Sequence, residues 1–266
     1  MKDRFGRTLD YLRISVTDRC NLRCAYCMPP EGVAELPREA ILRFEEIVEV
    51  ARAAVQMGVR KIRLTGGEPL VRRGIEDLVG MLAPLEGLED LAMTTNGLLL
   101  PEYADRLAAA GLRRVNVSLD ALAPARFAEI TRGGDVRRVL AGIAAARQAG
   151  LEPVKLNCVV HNSSTERDAR QVAQFAAAQG LEVRFIRQMD LAAGRFTIVE
   201  GGSGGDCPRC NRLRLSSDGL VRPCLFSDLG FSVRQLGAAE ALRQAAAEKP
   251  QAGTCCTGQR MYVIGG

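Results

Sequence analysis

A chain of 266 residues, 47% of them apolar, can bury one large α/β domain or a core with a small appendage. Its 36 basic and 31 acidic side chains leave a net charge of +5 carried mainly by scattered arginines. That dispersion suits an anionic small molecule better than a nucleic-acid groove. A single histidine, His161, argues against His-rich zinc catalysis and a Ser-His-Asp triad, and reads as a loop or structural residue. The N-terminus has no apolar signal region, and no apolar run is long enough to span a membrane. Nine cysteines in that context point to metal ligation in a reducing compartment, so the expected location is the cytoplasm, with no membrane or nucleic-acid partner.

In chain order, apolar β-branched runs predict strands at residues 12–16, 61–65, 90–94, 114–118, 154–160 and 182–187. Helical patterns lie between them at 37–57, 74–82, 101–109, 136–149 and 165–178, with a shorter helical turn at 124–130. Gly58, Gly111, Gly150 and Gly180 follow four of these helices, as left-handed C-caps do. The alternation implies right-handed βαβ units and a parallel sheet. Six units are too few to close an eight-stranded barrel, so the expected fold is α/β, an open partial (β/α)6 barrel with chemistry at the C-terminal ends of its strands.

The pattern changes after Met189. Gly201-Gly202-Ser203-Gly204-Gly205 reads as a flexible linker, whether an engineered splice or a natural Gly-rich loop. Residues 212–225 alternate around Ser217-Asp218-Gly219, a hairpin signal, and a helix is expected at 233–249. The expected domains are therefore 1–190 for the partial barrel, 191–206 for the linker, and 207–266 for a small C-terminal module ending in Gly265-Gly266.

Three stretches carry chemistry. Cys20, Cys24 and Cys27 form a Cys-x3-Cys-x2-Cys run directly after the first strand. Three thiolates this close suit a four-iron cluster whose fourth iron stays open to a small molecule. A structural zinc knuckle is the alternative, but no fourth cysteine or histidine lies nearby in sequence. Gly66-Gly67-Glu68-Pro69 follows the second strand; the glycines would let a ligand approach the backbone, and Glu68 can accept from an ammonium group. Cys207, Cys210 and Cys224 make a second three-cysteine set, either a second four-iron cluster or a zinc site completed by Cys255 or Cys256. Arg212 and Arg214, at i and i+2 of a predicted strand, share one face and could fork onto a polyanion or simply face solvent.

The Cys-x3-Cys-x-Tyr-Cys run with the GGEP turn resembles the radical S-adenosylmethionine (radical SAM) enzymes. Nearly the whole chain, including TTNG, VNVSLDAL, CPRCNRLRLSSDGLVRPCLF and the Gly-Gly end, resembles the GTP 3′,8-cyclase family, which begins molybdenum cofactor biosynthesis. The resemblance implies two 4Fe-4S clusters, the first on Cys20, Cys24 and Cys27 and the second on Cys207, Cys210 and Cys224. It implies S-adenosylmethionine at Tyr26, Gly66, Gly67, Glu68, Thr94, Ser118, Lys155, Asn157 and Met189. GTP would meet Arg13, Lys61, Arg63, Lys155, Arg184, Arg212 and Arg214, with Gly265 and Gly266 reaching into the active site. It further implies a flavodoxin-like or ferredoxin-like reductant, cyclic pyranopterin monophosphate synthase downstream, and a homodimer.

The chain departs from that family in four places. The segment between the sixth strand and the second cysteine set is several tens of residues shorter. The family's RFIE reads Arg184-Phe185-Ile186-Arg187, Asp206 stands where an aromatic residue is common, and Cys255 and Cys256 have no counterpart. Rival readings are another radical SAM enzyme acting on a peptide or small molecule, and a non-catalytic cluster-binding relative.

Overall fold

The computed structural model describes residues 1–190, 194, 196–253 and 256. Its first strand, β1 (Tyr11–Ser15), sets the pattern: Leu12 and Ile14 are fully buried under the helices, while Tyr11 and Arg13 turn to the opposite face. The next strand, β2 (Lys61–Thr65), repeats it, with Ile62 and Leu64 buried and Lys61 and Arg63 across from them. Then follow β3 (Asp90–Thr95), β4 (Arg114–Ser118), β5 (Lys155–Val160) and β6 (Glu182–Arg187). Each pairs in parallel with its predecessor, as the βαβ pattern requires.

Helices α1 (Phe44–Gln56), α2 (Ile75–Leu82), α3 (Leu100–Ala109), α4 (Pro124–Thr131), α5 (Val136–Gln148) and α6 (Arg167–Gln179) alternate with the strands. Local chemistry sets their ends. The Asp135 carboxylate accepts from Arg137 N at the start of α5, and Gly180, at φ +66°, closes α6 in the left-handed region. The helix expected at 37–57 starts only at Phe44, because Glu46 accepts from Arg43 N at 2.7 Å and caps the helix there.

The C-terminal part continues the same sheet. Strand β7 (Arg212–Leu215) pairs in parallel with β1, and β8 (Leu220–Arg222) and β9 (Phe231–Ser232) follow antiparallel. The order is β6-β5-β4-β3-β2-β1-β7-β8-β9, with β6 and β9 at opposite ends, so the sheet stays open. The helix expected at 233–249 is two, α7 (Val233–Leu236) and α8 (Ala238–Ala247), split at Gly237 with φ +79°. The described part of the Gly-rich stretch is a hydrogen-bonded turn. Glu200 bridges Phe185 of β6, and Val199 N donates to Gly204 O at 2.8 Å.

Candidate active site

Parallel pairing in register turns the period-two pattern of the strands into rows. Arg13 on β1 stands beside Arg63 on β2 and Arg214 on β7, and Ala92 of β3 links Arg63 to Arg114 on β4. A second row holds Arg212, Tyr11, Lys61 and Asp90. These side chains, with Arg184 of β6, crowd cations onto one face of the sheet. Arg13, Arg63 and Arg214 are each under a tenth exposed. Burial, followed for Arg214 by the neighbouring charge of Arg212, lowers the Arg214 guanidinium to about 10; burial lowers Arg63 as well. Arg114 is matched there by a bidentate carboxylate, that of Asp90. Asn116, wholly buried, spans the gap: its amide oxygen, turned toward them, accepts from Arg63 Nη1 at 3.0 Å and Arg184 Nη1 at 3.1 Å. Arg63 and Arg184 each keep a buried Nε with no hydrogen-bond partner among the described residues. Such a surplus of desolvated guanidinium donors fits a polyphosphate.

At the C-terminal ends of β1 and β2 the cysteine loop and the Gly66-Gly67 turn lock together. Gly67 N donates to Thr17 O and Glu68 N to Arg19 O, both at 2.8 Å. A Cβ on Gly67 would stand 2.2 Å from Arg19 O, so the glycines are needed for the approach of two backbones. The loop is also tied to α4: Arg23 N and Ala25 N donate to Thr131 O and Ile130 O, and Arg132, at φ 54°, donates to the carbonyls of Arg23 and Met28. That guanidinium holds a non-glycine residue in the left-handed region at the loop's base. Tyr26 Oη donates to Asp120 Oδ2 at 2.7 Å, and Val159 N donates to Asp120 Oδ1, linking the loop to β5.

Burial, then neighbouring negative charge, raises the three thiols, Cys24 to about 12. They bind metal only by giving up protons against that cost. No three acidic, histidine or cysteine side chains among the described residues stand together as ligands of one metal ion. Three thiols on one loop, with no histidine beside them, are a donor set that fits a four-iron cluster, one thiolate to each of three irons. Beside it the buried Thr94 hydroxyl has no hydrogen-bond partner among the described residues, an orphan suited to a bound polar group.

Glu68 is 1% exposed, and its carboxylate accepts from Leu70 N, Thr95 Oγ1 and Asn96 N. Burial outweighs these bonds and lifts it from 4.5 to about 7. Because the folded pKa exceeds the unfolded one, the folded chain holds the proton more tightly between pH 4.5 and 7, and stability falls as pH rises through that window. Against Glu68→Gln, the ligand-free wild type is expected to lose up to about 3 kcal/mol from pH 4.5 to 7 in denaturant titrations. Equal pH profiles for the two would contradict the shift.

A cavity of about 430 Å³ joins the two regions. It is lined by Cys20, Cys24 and Cys27, by Tyr26, Gly66, Gly67, Glu68, Thr94, Ser118, Asn157 and Met189, and by Arg13, Lys61, Arg63, Arg184 and Arg212. Lys155 and Arg214 do not line it; Lys155 is ion-paired to Glu182, and Arg214 stands beyond Arg13 at the β7 end of the row. Cys207, Cys210 and Cys224 also stand off this cavity, half-buried around the start of β7. The buried Cys256 thiol donates to Asp228 Oδ1 at 3.1 Å instead of joining them. Cys255, Gly265 and Gly266 lie outside the described residues.

Sequence reading missed Asp90, Arg114, Asn116 and Asp120. Asp120 lay within the quoted VNVSLDAL segment, and Asn116 between buried valines on a strand was the only signal for the arginine bridge.

Residues 14–176 match the Radical SAM superfamily. A GTP 3′,8-cyclase of Pelotomaculum thermopropionicum is 45% identical over 273 aligned residues, 85% of this chain and 84% of that one. A GTP 3′,8-cyclase of Geobacter sulfurreducens is 41% identical over 301, with 94% and 92% covered. Both alignments are longer than the 266-residue chain itself, so each relative carries residues this chain lacks. Among solved structures, native anSMEcpe with bound AdoMet superposes at a TM-score of 0.66 and 17% identity, over 91% of this chain and 81% of that one. At that identity the likeness is one of fold.

Proposed function

The chain belongs to the GTP 3′,8-cyclases of the radical SAM superfamily, and from that premise we propose that it converts GTP to 3′,8-cyclo-7,8-dihydro-GTP, the first step of molybdopterin biosynthesis. The observation that carries the reading is a buried cation row and a three-thiol loop opening onto one cavity. Cys20, Cys24 and Cys27 would hold the first 4Fe-4S cluster, and Cys207, Cys210 and Cys224 the second. Bound there, the first cluster and S-adenosylmethionine would supply a 5′-deoxyadenosyl radical to take hydrogen from ribose C3′, and joining that carbon to guanine C8 would be completed by one further electron, through the second cluster, and a proton.

The chain's own residues position and shield. Glu68, Thr94, Ser118, Asn157 and Met189 would seat S-adenosylmethionine beside the thiol loop, with Glu68 facing its ammonium. Arg13, Lys61, Arg63, Arg184 and Arg212 would hold the triphosphate, with Lys155 and Arg214 supporting them through their strands. No side chain in the cavity is needed as a strong acid or base, and orientation with water exclusion is the protein's share of the rate. Arg63→Ala removes a charge-assisted fork and also leaves Asn116 half-satisfied. It is expected to raise KM for GTP about 10- to 100-fold while kcat changes less; an unchanged KM would remove Arg63 from the phosphate site.

The test is anaerobic: reconstitute with iron and sulfide, add dithionite, S-adenosylmethionine and GTP, and identify both products. Deoxyadenosine without cyclised nucleotide would keep the radical chemistry and sink the substrate. The reading extends to a flavodoxin-like or ferredoxin-like one-electron donor, to cyclic pyranopterin monophosphate synthase as the consumer of the product, and to a homodimer. Among the described residues no helix is long and apolar enough to cross a membrane, and a cytoplasmic location is part of the proposal.

A further inference from the structure

Lys249 is a lysine 2% exposed, just past the end of α8. Lysine is seldom buried to that extent without a partner for its charge. Its Nζ donates to Arg212 O and to Pro223 O, each at 2.7 Å. Arg212 is two residues past Cys210, and Pro223 immediately precedes Cys224. These two carbonyls flank Cys210 and Cys224, and the ammonium's charge acts on both thiols. No described carboxylate is paired with it.

A second cation works on the same set from the other end of the chain. Arg7, paired with Asp3, donates through Nη1 to Cys207 O at 2.7 Å and through Nη2 to Pro250 O at 2.6 Å. The residue after Lys249 and the first cysteine of the set are thus fastened to one guanidinium.

We propose that Lys249 is a positioning residue for the second cluster, its buried ammonium joining the Cys210 and Cys224 segments and giving their thiolates a fixed countercharge. The inference rests on the reading that Cys207, Cys210 and Cys224 hold that cluster. Unpaired, the ammonium would be a costly buried charge, and an anionic cluster on those thiolates offsets it. A positive charge and a hydrogen bond at a ligand sulfur favour the reduced, more negative cluster and raise its potential.

The test is redox titration of the reconstituted full chain by electron paramagnetic resonance, with iron release to a chelator followed in parallel. Lys249→Met is expected to shift the second cluster's midpoint potential negative and speed its iron loss at least tenfold. The first cluster's signal, unchanged, serves as the control for folding. Lys249→Arg, which keeps the charge, is expected to stay near the wild-type potential. Should Lys249→Met not fold, Lys249→Gln, neutral but still a donor, carries the same test. A potential and iron-loss rate equal to wild type in the neutral variants would overturn the proposal, as would an equal shift in Lys249→Arg. Wild-type protein that binds only the first cluster would instead overturn the second-cluster reading, and the proposal with it.

Discussion

Cys24→Ala is expected to abolish both 5′-deoxyadenosine and cyclised nucleotide, to below about one ten-thousandth of wild type, because nothing else in the cavity can start radical chemistry. The loss should be specific. Iron should fall from about eight to about four per chain, the second set of thiols keeping its cluster. The loop around Cys24 is held by backbone bonds to α4 and by Arg132, and neither involves the Cys24 thiol. The fold should therefore persist, and the melting transition should move little. Retained deoxyadenosine formation in this variant would contradict the assignment of Cys20, Cys24 and Cys27 to the first cluster.

Gly67→Ala is expected to be nearly as damaging through sterics alone. The added Cβ would meet Arg19 O at 2.2 Å and Asp18 O at 2.9 Å, and both are backbone atoms. One loop must move by about an ångström, at an overpacking cost of about 1–3 kcal/mol. Arg19 adjoins Cys20, so the displacement falls on the first thiol set while the second lies on the far side of β1. The expected outcome is a folded protein with reduced S-adenosylmethionine binding, a poorly retained first cluster, and deoxyadenosine formation down at least about a hundredfold. Iron analysis and calorimetric S-adenosylmethionine titration check it; wild-type affinity in Gly67→Ala would show that the two loops do not need their close approach.

The six parallel strands and their helices were readable because buried β-branched runs, amphipathic periods and terminal glycines agree at nearly every element. What could not be read was how distant strands pair. Arg212 and Arg214 are visible on one face of a predicted strand, but nothing local says that β7 docks on β1 and aligns Arg214 with Arg13. The cation row is a property of register, so only its members could be named. Asn116 and Lys249 escaped for the same reason. Each becomes informative through partners distant in sequence, as Lys249 does with Arg212 and Pro223, 37 and 26 residues away, or on other strands, as Asn116 does with Arg63 and Arg184. The paired glycines were read as room for a ligand; the structure also presses them against the cysteine loop's own backbone, a contact the sequence did not show. Lys155, expected at both ligands, is turned to Glu182 by the β5–β6 pairing.

The most direct test of the central claim follows one atom. GTP carrying deuterium at ribose C3′ is incubated anaerobically with the reconstituted protein, S-adenosylmethionine and dithionite, and the 5′-deoxyadenosine is weighed by mass spectrometry. Hydrogen abstraction from C3′ predicts deoxyadenosine heavier by one deuterium, in step with cyclised nucleotide. Unlabelled deoxyadenosine formed at the same rate with or without GTP would contradict the account, leaving a radical SAM core whose substrate is something else.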